Sequence, residues 1–141
     1  MMLIEDSQHR IDRIRSWLPG DCLLVVAASA GKAIGILQRD RGYVYGAVML
    51  DHDLHEQAAT EDDLSLSGSD LVETLITHLS RDVPILIHSM NPTRAPLLTQ
   101  RLNRAGFDVT RIPFVELDKA TFLSWLEDAR YNWADAHGIP Q

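Results

Sequence analysis

Five apolar runs punctuate the chain: Leu3-Ile4, Cys22 to Ala27, Tyr43 to Leu50, Val83 to Ile87 and Phe107 to Ile112. Most give way to a segment whose apolar residues return every three or four positions, the spacing of a helix with one buried face. Ser7 can cap a helix carrying Ile11, Ile14 and Leu18, and Pro19-Gly20 stops it. Ser29 can cap a second, with Ala33, Ile34 and Leu37. A long polar interval, 51–68, precedes a third with Leu71, Val72, Leu75, Ile76 and Leu79. Asn91-Pro92 reads as a cap followed by proline at the first helical position. That helix carries Leu98, Leu102 and Ala105, and Gly106 can end it. Asp118 can cap a last helix with Phe122, Leu126 and Trp133 inside.

The runs are continuous rather than alternating, as in strands covered on both faces, and helical crossovers make such strands parallel. The expected fold is α/β: a three-layer, flavodoxin-like (βα)5 domain spanning 1–141, with a parallel five-stranded sheet ordered 2-1-3-4-5. In that order strands 1, 3 and 4 are neighbours, and a ligand site lies beyond their carboxyl ends.

Those three ends carry unusual chemistry. Strand 1 runs into Glu5-Asp6, strand 3 into Asp51-His52-Asp53, and strand 4 into His88-Ser89-Met90-Asn91. Glu5, Asp6 and Asp51 are hard oxygen ligands suited to Mg2+ or Mn2+. His52 and His88 are candidate acid and base. Asp51 and Asp53 can orient an imidazole or bind a metal. Ser89, Asn91 and the start of the following helix are candidates for holding phosphate oxygens, with Arg94 one turn in as a cation. The alternative for each end alone is a solvated or capping role.

Charge narrows the choice. The chain carries 13 basic and 20 acidic residues, a net charge of -7. No Lys or Arg falls between Gly42 and Ser80, a stretch that holds eight acids. That argues against a broad duplex-binding surface. No apolar run approaches a membrane span, the start has no signal-peptide pattern, and Cys22 is the lone cysteine. A cytoplasmic protein is expected. Cys22 reads as a core thiol, and Trp17, Trp125 and Trp133 as packing against the sheet. Gly31-Lys32 is no P-loop, since Ala33 follows and Val26 stands where the first glycine belongs.

The acidic pair, the strand 3 aspartate and the strand 4 serine resemble response-regulator receiver domains. The resemblance implies that Glu5, Asp6 and Asp51 hold Mg2+, that Asp51 accepts a phosphoryl group, and that Ser89 senses it. Receivers carry a lysine before the strand 5 proline, whereas this chain has Arg111-Ile112-Pro113. The motifs Leu50-Asp51-His52-Asp53-Leu54, Gly68 opening a helix, and His88-Ser89 followed by Asn91 are more similar to the cyclic-phosphate processing receiver-like family. That implies a small phosphorylated or cyclic-phosphate ligand and phosphoester chemistry. Two alternatives stay open: a receiver module phosphorylated at Asp51 that works by protein contact, and a degenerate receiver that only binds a protein partner. Three further expectations follow. Asp51 and His88 should sit on adjacent strands, 55–67 should be mobile or act as a lid, and the acidic cluster should be held at a cost to stability.

Overall fold

The computed structural model describes residues 1–51 and 68–139. His52, Asp53, His55 and the expected lid lie outside them. In chain order the elements are β1 (Met2–Ile4), α1 (Gln8–Trp17), β2 (Val25–Ala27), α2 (Ala30–Arg39), β3 (Val48–Leu50), α3 (Gly68–His78), β4 (Ile85–Ile87), α4 (Arg94–Arg104), β5 (Val109–Arg111), a 3-10 turn (Phe114–Glu116) and α5 (Lys119–Ala136). The strands form one parallel sheet ordered β2-β1-β3-β4-β5, as the alternation predicts.

The pleat divides the core. Met2, Ile4, Val48, Leu50, Ile85 and Ile87 face α2, α3 and α4. Leu3, Met49 and Leu86 face the other way, onto Ile11 and Ile14 of α1 and Phe122, Leu126 and Ala129 of α5. Successive side chains on a strand alternate between faces, so β1, β3 and β4 must be apolar at every position. Helix starts follow the expected chemistry. Ser7, Ser29 and Asp118 accept hydrogen bonds from the amides of Arg10, Lys32 and Thr121. No described helix is long and apolar enough to cross a membrane.

The strands are shorter than the apolar runs, for identifiable reasons. β2 is an edge strand, so Val25 and Val26 are only partly covered rather than buried on both faces. Leu23 is exposed and Cys22, ahead of β2, is half-buried, which corrects its reading as a core thiol. The run from Tyr43 reaches strand geometry only at Val48. Before it, Tyr43 accepts from the Trp133 indole through its carbonyl, and the Tyr45 hydroxyl donates to Asp40. These residues pack by side chain without joining the ladder. α4 starts at Arg94, later than Asn91-Pro92 implies. The Asn91 side chain still organises that start, accepting from the amides of Thr93 at 3.0 Å and Arg94 at 2.8 Å.

Candidate functional site

Register decides which residues meet. Ile4, Leu50 and Ile87 lie in one row across β1, β3 and β4, with Ala27 of β2 beside Ile4. Backbone pairing continues one step further: Glu5 donates to Ala27, Asp51 to Ile4, and His88 to Leu50. Glu5, Asp51 and His88 therefore form the next row, and pleat alternation sends it toward the α1 and α5 face. Asp51 and His88 thus extend adjacent strands, as expected from the sequence.

All three side chains are buried, together with Asp6 and Ser89. His88 Nε2 lies 3.0 Å from Glu5 Oε1. Glu5 Oε2 accepts from the amides of Asp6 at 2.9 Å and Ser7 at 3.2 Å, so the turn into α1 wraps around one carboxylate. Burial raises the Glu5 pKa, opposed by its hydrogen bond with Asp51, the Ser7 amide and Arg10. Burial lowers the His88 pKa to about 4, although Asp51 favours the imidazolium. Burial thus opposes charge on both partners of the Glu5–His88 contact. Among the described residues His88 Nδ1 has no hydrogen-bond partner despite its burial.

Glu5, Asp6 and Asp51 each offer an oxygen within 4.8 Å of the others. Three buried carboxylates form a hard donor set that fits a divalent cation such as Mg2+ or Mn2+. Arg10 pairs with two of them: its Nη1 lies 3.6 Å from Glu5 Oε1 and 3.5 Å from Asp51 Oδ2. Its guanidinium carbon stands 5.1 Å from the centroid of Phe114, and that ring packs edge-on to His88 at 6.3 Å. The Phe114 amide donates to the His88 carbonyl, which holds the segment after β5 against the site.

The other sequence candidates are placed differently. Ser89 is fully buried and its Oγ accepts from the Asn91 amide. Asn91 takes up the Thr93 and Arg94 amides, so those two N–H groups are already bonded and do not await a phosphate. Arg94 opens α4 as an exposed residue. Arg10 and Phe114 were not anticipated. The signal for Arg10 is its place in the first turn of α1, where the helix dipole disfavours a cation unless acids lie close by. Phe114 had no such signal, because its approach depends on the turn after β5. A separate cavity of about 400 Å³, lined by Met1, Leu23, Val44, Gly46 and Trp133 among others, opens at the opposite edge of the sheet. Its largely apolar lining lacks the converging acids of the carboxyl edge.

Residues 2–104 match the family model of the cyclic-phosphate processing receiver domain. The chain belongs to that family. The fold also matches the crystal structure of the response regulator domain of Thermotoga maritima CheB, with a TM-score of 0.61 over 94% of this chain and 93% of that one. Identity is 13%, so this likeness concerns architecture alone. No curated protein sequence matches the chain. The family's receiver character agrees with Asp51 ending β3 beside Glu5 and Asp6.

Proposed function

We propose that this domain is a small enzyme acting on a cyclic phosphate or a related phosphoester at the Glu5–Asp51–His88 edge. The observation that carries this reading is the buried Glu5–His88 pair in one row with Asp51. Burying two carboxylates and an imidazole is costly, and packing a sheet end requires none of them. The family to which the chain belongs supports the substrate class.

In this reading Glu5, Asp6 and Asp51 hold Mg2+ or Mn2+. Such an ion, when bound, polarises a phosphoryl oxygen and offsets developing charge. His88 is assigned a positioning role through Glu5, since its ring is fully buried and Nε2 is engaged. His52 and Asp53, next along the chain from Asp51, are assigned proton transfer and its orientation. Ser89 and Asn91 shape the turn into α4 at the rim, and Arg94 is the exposed cation beside it.

The test is turnover of 2′,3′-cyclic nucleotides and ADP-ribose cyclic phosphates by purified protein with Mg2+ or Mn2+. General acid–base groups contribute roughly 10²–10⁴-fold, so His52→Ala should lose at least about a hundredfold. Asp51→Asn should stay folded, melt no earlier than wild type, and lose the upward shift that Mg2+ gives wild type. No turnover of any such substrate by wild type refutes the enzymatic reading.

A second reading is favoured by the receiver architecture: a signalling module phosphorylated on Asp51 that acts through a protein partner. Acetyl phosphate with Mg2+ would then add a phosphoryl mass that Asp51→Asn abolishes.

A further inference from the structure

Arg10 sits at the boundary between the buried acids and solvent. Its side chain is 26% exposed, whereas those of Glu5 and Asp51 are 0% and 4% exposed. Both contacts to the acids use one nitrogen, Nη1, at 3.5–3.6 Å. This is looser than the two-pronged geometry of a strong guanidinium–carboxylate pair. Among the described residues, Nε and Nη2 have no hydrogen-bond partner. What steadies the group is the Phe114 ring. A guanidinium lying over an aromatic face, with donors left over, is suited to meeting a flat or tetrahedral oxyanion. The end of β5 supplies no cation inward, for Arg111 is exposed and Ile112 belongs to the apolar layer under α1 and α5.

We propose that Arg10, braced by Phe114, is the residue that positions the anionic oxygens of the ligand at this edge. The inference rests on the phosphoester reading and adds to it the source of the anion-binding charge: helix α1. The carboxylates that Arg10 leans on are the ones that would hold a divalent ion. With a cation held by Glu5 and Asp51, their charge would be engaged there and the Arg10 guanidinium would be left for the anion. Arg10 should consequently oppose metal binding when no anion is present and support anion binding once the metal is in place.

That pair of opposite signs separates a positioning role from a structural one. Mn2+ binding is measured alone on the full chain, then inorganic phosphate binding at saturating Mg2+, for wild type, Arg10→Gln, Arg10→Lys and Phe114→Leu. Arg10→Gln should weaken phosphate binding by about ten- to a hundredfold, the scale of a charge-assisted contact, while tightening Mn2+ several-fold. Arg10→Lys should restore part of the phosphate affinity, keeping the charge but losing the fork and the stack. Phe114→Leu should weaken phosphate by a few-fold and leave Mn2+ unchanged. If wild type binds phosphate and Arg10→Gln binds it as tightly, the role of Arg10 is refuted and the site stands. Loss of Mn2+ and phosphate affinity together, with a lower melting temperature, makes Arg10 structural and also overturns the inference. A wild type that binds Mn2+ but no phosphate overturns the phosphoester reading itself, and Arg10's role with it.

Discussion

Glu5 and His88 are touching residues of the site whose protonation the fold has altered, and they push stability in opposite directions. The His88 pKa is lowered to about 4 from an ordinary 6.5. As pH falls through 6.5, the unfolded chain takes up a proton that the folded chain refuses, so stability drops until folded His88 also protonates near 4. The Glu5 pKa is raised. Its contribution is present at low pH and is lost as pH rises from 4.5 toward the raised value. The two effects overlap and offset each other in wild type. Glu5→Gln keeps an acceptor for Nε2 and removes the second effect. It should reveal a decline in stability from pH 6.5 to 4 of up to about 1.4 kcal/mol per pH unit. Urea unfolding at half-unit steps measures that slope. A nitrogen NMR titration of wild type should show the His88 ring still neutral at pH 5.5.

Among the elements, α4 is the one whose start depends most plainly on a single side chain. Asn91 was legible as a cap, but the helix itself begins at Arg94. Pro92 cannot donate a backbone hydrogen bond, and the Asn91 side-chain Oδ1 reaches past it to accept from the amides of Thr93 and Arg94. Asn91→Ala should cost about 1 kcal/mol, and Asn91→Asp should retain or slightly exceed wild-type stability because an anion suits a helix start. Equilibrium unfolding of the three proteins decides this. An unchanged Asn91→Ala would mean that the turn is held by packing and by the Ser89 contact to the Asn91 amide.

At the scale of the whole molecule, the two core layers serve the site unequally. Ile14 and Leu37 are both fully buried, Ile14 under α1 on the face toward which Glu5, Asp51 and His88 project, Leu37 under α2 on the other. Truncating either to alanine should cost about 2–5 kcal/mol. Only Ile14→Ala should also weaken Mn2+ binding and disturb the Arg10 contacts, because it loosens the helix that carries Arg10. Titrating Mn2+ into both variants at a temperature where each stays folded checks that difference. Much of this architecture was legible beforehand. Continuous apolar runs, serine and aspartate caps and helical spacing specify five βα units, since burial on both faces and cap chemistry are local demands that a sequence must display. The same runs named Glu5, Asp51 and His88 as the residues following three strands. The sequence could not tell where pairing begins within a run, and so it overextended β2, β3, β4 and β5. Edge exposure and the bond from the Trp133 indole to the Tyr43 carbonyl bear on that, and both depend on neighbours distant in the chain. Nor could it show that the three strand ends share one row, that His88 is sealed against Glu5, or that Arg10 and Phe114 close over them. Those facts depend on interstrand register and on the placement of α1 and the turn after β5, which are settled only when the layers pack.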